Sequence, residues 1–132
     1  MELVPYTLKD ATLKELGKTP APHKTRIRIR QNSWIAKMAC WCIKEKDVAF
    51  TLFRTIHLSH STPRVFLNNQ RWVAHELAHV RQFATYGNVK FIFMYLSESF
   101  RNGYHNNKWE VEARANEDSV DILQDYYFEY TS

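Results

Sequence analysis

The segment His75-Glu76-Leu77-Ala78-His79 holds most of the chemistry that can be read from this chain. Two histidines four positions apart stand one turn from each other on the same face of a helix, so their imidazoles can converge on one divalent ion. Glu76 is rotated by about 100° from His75. It lies beside the ion but is better placed to meet a bound water than to ligate. Zinc brings such a water to a pKa of about 7, and a carboxylate in reach takes its proton as attack begins. The same group, once protonated, can supply a leaving amine. The pattern therefore predicts zinc on His75 and His79 with Glu76 as general base.

Such a site needs a third protein ligand. Downstream candidates are His105, Glu110, Glu112 and Glu117, on or just before a helix expected from Asn106–Asn107 to about Phe128. With Trp109 as origin, Ala113, Val120, Leu123 and Tyr127 cluster into an apolar arc on that helix. Glu112 falls inside the arc at about 300°, and Glu110 at its edge at about 100°. A buried ligand facing another helix fits either place, so periodicity leaves both open.

Other elements must position these groups. Lys24–Arg30 alternates strictly, with Ile27 and Ile29 on one face and Arg26, Arg28 and Arg30 on the other, which predicts a half-buried strand. Asn32 or Ser33 can cap a helix running to about Ile43. Val48–Ser59, rich in β-branched and aromatic residues, predicts one further strand, and Val65–Leu67 a short extended piece. Trp72, Val73, Leu77, Val80 and Ala84 give Gln70–Tyr86 a helical period, with Asn68 or Asn69 to cap it and Gly87 to stop it. Another helix is expected over Val89–Arg101. Its aromatic run from Phe91 to Leu96 is expected to pack in the core. Pro5, Pro20 and Pro22 make residues 1–22 an arm with at most one turn around Leu8–Leu16, leaving 23–132 as one domain. The fold class is α+β: a short mixed sheet with an edge strand, an active-site helix and two to three further helices.

HELAHVRQF, preceded by VAFTLFRTIHLS and followed by NNKWEVEARANE, resembles the compact gluzincin metallopeptidases. It is particularly similar to small soluble bacterial proteins with an HELxHVxQ helix and a late FEVEAR-type segment, relatives of the minigluzincins and of the soluble core of HtpX-like membrane proteases. The resemblance covers residues 25–117 and rests on these short motifs. It implies a zincin-like domain that hydrolyses peptide bonds, with zinc on His75, His79 and Glu110, the Glu of an E-x-x-A-D segment. Arg114 stands where that segment has its Asp, which normally steadies a ligating histidine through a hydrogen bond. The resemblance also makes the 48–59 strand an edge to which extended substrate adds by main-chain hydrogen bonds. His57 and His60 near its end read as ordinary polar residues. Tyr86, Tyr95, Tyr104 and His105 are possible donors to a tetrahedral oxyanion.

Length and composition set the frame. With 132 residues, 45% hydrophobic and 24% charged, the chain supports one globular domain. No apolar stretch approaches the ~20 residues that span a bilayer. Cys40 and Cys42, one residue apart on a helix, point in different directions and cannot pair. With no secretory signal in the opening residues, they suggest a reducing cytoplasm. Residues 110–132 hold seven acids against one base, a net −6, leaving +10 on the rest of a chain of net +4. The basic runs are short, so attraction between these two parts within the fold is expected, rather than nucleic acid as a partner.

The reading is a zinc-dependent peptidase acting on peptide or protein substrates. Two alternatives stand beside it. One is a zinc-holding but catalytically silent or latent scaffold used for interaction, suggested by Arg114 and the small size. The other is a nucleic-acid-associated protein, suggested by the arginine strand and similar to SprT-type proteases only as far as HELAH.

Overall fold

The computed structural model describes residues 2–3 and 24–130. Of the expected arm only Glu2–Leu3 is described, and the turn expected around Leu8–Leu16 lies outside the described residues. In chain order the elements are β1 (Glu2–Leu3), β2 (Thr25–Arg30), α1 (Trp34–Ile43), β3 (Ala49–Leu52), β4 (Thr55–Leu58) and α2 (Pro63–Leu67). They continue with α3 (Gln70–Tyr86), α4 (Asn88–Asn102), α5 (Lys108–Ala115), a 3-10 turn (Asp121–Asp125) and β5 (Tyr126–Tyr130). The fold is α+β.

The strands form one mixed sheet in the order β1-β5-β2-β4-β3. The central pairs β5/β2 and β2/β4 are parallel, with Ile27 opposite Phe128 and Ile29 opposite Ile56. The outer pairs are antiparallel. Ile27, Ile29, Ile56, Leu58 and Phe128 on one face meet Val73, Leu77, Ala78 and Val80 of α3 in the main core. Full burial of each such side chain contributes about 1.5–3 kcal/mol. His57, between Ile56 and Leu58, points to the other face, where Ser33 at the head of α1 meets it.

Three expectations are corrected. Val48–Ser59 is a hairpin of β3 and β4, not one strand. Phe53 turns the chain at φ +60°, a left-handed conformation that the usual Gly or Asn would have signalled. Pro63–Leu67 is a helical turn instead of an extended piece. Thr62 accepts from the Val65 amide at 3.2 Å, and Pro63 supplies a preset φ at the first position. The last helix stops at Ala115. Beyond it Tyr126, Phe128 and Tyr130 bury alternately in β5, a strand period that the helical reading overrode.

The expected caps form at Asn69, which accepts from Trp72 N at 3.1 Å, and at Gly87, whose φ of +88° ends α3 and opens α4. Cys40 is buried and Cys42 exposed. In the aromatic run, Phe91 is buried while Phe93 and Leu96 are largely exposed, so that run is only partly core. Acids of the C-terminal stretch meet bases of the body, as expected: Arg71 pairs with Glu117 and Asp118, and Arg26 lies 3.6 Å from Glu129. No helix among the described residues is long and apolar enough to cross a membrane.

Candidate metal centre

Helix α3 presents His75 and His79 on one face, with ring centroids 5.1 Å apart, toward the first turn of α5. There Glu110 is buried, 3% exposed. One of its oxygens lies 2.9 Å from His75 Nε2 and the other 3.2 Å from His79 Nε2. Ligand atoms of these three residues all lie within 4.8 Å of one another, so the group can hold a metal ion. Glu112 is exposed and accepts from Gln82 Nε2 at 2.9 Å. The apolar arc that favoured Glu112 assumed one helix through Tyr127. Because α5 ends at Ala115, Val120, Leu123 and Tyr127 never share its faces, and Glu110 is the carboxylate brought to the histidines.

The outward ring nitrogens are engaged. His75 Nδ1 bonds to Glu117 Oε2 at 2.8 Å, and His79 Nδ1 to Gln82 Oε1 at 2.8 Å. These bonds fix the ring orientations and leave each Nε2 toward Glu110. Glu117, a candidate ligand from sequence, thus steadies His75 in the way expected of the residue at 114. Its other oxygen accepts from Arg71 at 3.1 Å. Arg114 turns away and donates to the His105 carbonyl. Gln82 also donates to the Trp109 carbonyl at 3.1 Å, tying α3 to α5. The signal for Gln82 was present: it lies three residues beyond His79, in helical contact with it.

Burial and charge act against each other here. Burial alone would lower the His75 pKa, but its bond to Glu110 and the charges of Glu76 and Glu110 overcome this and hold it up to about 9. His79 is raised against its own burial by the Glu110 bond. Glu110, despite burial, is held well below the carboxylate range by the two histidines and by the Tyr95 hydroxyl, which donates to it. Glu76 is pushed up by burial, with the charges of His79 and His75 opposing. The Thr51 hydroxyl of β3 donates to Glu76 Oε1 at 2.7 Å; sequence reasoning missed this contact because it spans 25 positions between separate elements.

The remaining candidates separate clearly. Tyr104 lines the same cleft as Glu76, His79 and Glu110. Burial and the charges of Glu110 and Glu76 raise its pKa, so its hydroxyl keeps its proton. Tyr86 stacks among Phe91 and Trp109, and His105 is exposed. His57 is buried beside Ser33, with Oγ 2.9 Å from Nδ1; burial and Arg30 lower its pKa. His60 is exposed, with its amide on Asp47. Neither lines the cleft. The sheet edge beside the site is β3, whose residues Ala49–Leu52 all border that opening.

A family model described as the eCIS core domain matches residues 25–86, β2 through α3, somewhat under half of the chain. The match includes His75, Glu76 and His79 and ends before Glu110. No curated protein and no solved structure matches this chain.

Proposed function

We propose that the protein is a zinc-dependent peptidase. The observation that carries this reading is the convergence of His75 Nε2, His79 Nε2 and Glu110, with Nδ1 of both rings held by other side chains. Two imidazoles and one carboxylate fit zinc, and three protein ligands are the number that hydrolytic zinc sites use. Zinc held by these residues would supply Lewis acidity, polarising the scissile carbonyl and making water a nucleophile near neutral pH.

The chain's own groups do the rest. Glu76, positioned by Thr51 and with its pKa raised by burial, takes the proton of the attacking water and passes it to the leaving amine. Among the described residues β3 has β4 on one side only, so its other edge can hold an extended peptide by main-chain hydrogen bonds. Tyr104 borders the same cleft and retains its proton, which supports it as the donor to the developing oxyanion. The eCIS core resemblance supports a shared scaffold over β2 to α3.

The test is peptide cleavage by zinc-loaded protein against its Glu76→Gln variant. Wild type is expected to cleave and the variant to keep zinc but lose cleavage. Equal cleavage by both would refute Glu76 as the base.

A further inference from the structure

The outer faces of α1 and α4 are apolar where a surface helix is ordinarily polar. On α1, Trp34, Met38 and Trp41 follow at intervals of four and three. On α4, Val89, Phe93, Leu96 and Phe100 follow at four, three and four. Such intervals set each group along one face of its helix. All of these side chains are exposed, Trp41 by 83% and Phe100 by 93%. On α4 only Phe91 is buried.

The two stripes belong to one surface. Met38 and Leu96, one from each, border the same opening, along with Ile35 and Cys42 of α1 and Ile92 and Tyr95 of α4. At about 100° per residue, Lys37 and Lys44 flank the α1 stripe on the side away from that opening, and Lys90 and Arg101 do the same on α4. All four are exposed, and none pairs with a carboxylate among the described residues. The order across the surface is therefore bases, apolar stripe, cleft, apolar stripe, bases.

The size of this face calls for a partner. A large aromatic side chain has roughly 150–250 Å² of surface, so Trp34, Trp41, Phe93 and Phe100 alone expose on the order of 600 Å². The largest apolar patch of an ordinary monomer is about 300–600 Å², and Met38, Val89 and Leu96 add to this one. A second copy of the chain fits poorly, because it would bring another set of unpaired bases against the first. An anionic lipid surface supplies an apolar layer for the rings and negative charge for the rim. Tryptophan, exposed twice here, is a side chain that settles at the level of lipid headgroups.

We propose that α1 and α4 dock the protein on an anionic membrane surface. Trp34, Trp41, Phe93 and Phe100 enter the headgroup region, and Lys37, Lys44, Lys90 and Arg101 meet the anionic headgroups. Docking turns the mouth of the cleft toward the lipid, whether or not the metal centre cuts peptides.

The test is flotation of the full chain with vesicles of phosphatidylcholine and phosphatidylglycerol at about two to one, against vesicles of phosphatidylcholine alone. Binding to the mixed vesicles is expected to be at least tenfold tighter than to the neutral ones, and to weaken as salt is raised. Tryptophan emission is expected to move to shorter wavelength on binding. Trp41→Ser with Phe100→Ser, both at largely exposed positions, is expected to weaken binding at least tenfold and to leave the circular dichroism spectrum unchanged. Lys37→Glu with Lys90→Glu is expected to abolish the preference for the charged lipid. Val65→Ser, which alters an exposed apolar residue of α2 off both stripes, is expected to bind as wild type does.

No binding to the mixed vesicles, equal binding to the neutral ones, or unchanged behaviour of either double variant would overturn the proposal. So would a concentration-dependent dimer, seen by sedimentation equilibrium without vesicles and lost in Trp41→Ser with Phe100→Ser, because that face would then belong to a second copy.

Discussion

His75, His79 and Glu110 could hold a metal ion only as a set, and each is kept in place by a neighbouring side chain. Glu117 holds His75 and is in turn held by Arg71. Glu117→Ala is therefore expected to weaken zinc binding by about 10- to 100-fold, whereas Glu112→Ala changes it little. Competition with a chromogenic chelator measures both, and the reverse order would contradict the arrangement. Proton linkage gives a second check on metal-free protein. His75 rises from its ordinary 6.5 to about 9 in the fold. Its contribution to stability is thus complete below pH 6.5 and is lost as the pH rises through about 9. Urea midpoints of chelator-treated protein are expected to fall across that window, and His75→Phe to reduce the fall. At the chemical step, Tyr104→Phe is expected to lower kcat by about 10²-fold with KM nearly constant; an unchanged kcat would remove Tyr104 from the reaction.

At the level of elements, Asn107 joins two that must keep register. Its side chain caps α5 by accepting from Trp109 N at 2.8 Å, and it donates to the Tyr95 carbonyl at 3.1 Å and to Ser99 Oγ at 2.7 Å on α4. It is fully buried. Asn107→Ala is expected to cost about 2–3 kcal/mol, read by urea unfolding, and to weaken zinc binding by releasing the turn that carries Glu110. A cost below about 0.5 kcal/mol would show that this junction is not what fixes α5. The elements legible in sequence were those with strong local signals: the alternation of β2, the period of α3, and the Asn69 and Gly87 stops. Those that escaped lacked one or had it outweighed, as the strand period of β5 was by the helical reading. The β3–β4 turn uses Phe53 and Arg54 in place of Gly or Asn, and no Gly or Pro marks the end of α5. The two histidines and Glu76 were legible because one helical turn contains them. Thr51 and Glu117 were not legible in their roles, since each role is defined by a contact between elements, whereas Gln82 stands three residues beyond His79 on the same helix, where its contact could have been read.

Across the whole molecule, the basic strand and the cleft lie apart. The arginines of β2 stand on the sheet face away from α3, while the cleft along β3 is lined mainly by apolar groups. The acidic stretch after α5 supplies Glu117 to the centre, so a metal held there would tie residues 75–79 to residues 110–117 across the fold. Zinc is accordingly expected to raise the unfolding midpoint in a concentration-dependent way, adding about 2.7 kcal/mol at a hundredfold excess over Kd, with chelator reversing the effect. The central claim is tested most directly by an anomalous difference map at the zinc edge, from crystals of zinc-loaded protein. One peak per chain is predicted, bounded by His75 Nε2, His79 Nε2 and the Glu110 carboxylate. No peak there, or a peak held by Glu112 in place of Glu110, would contradict it.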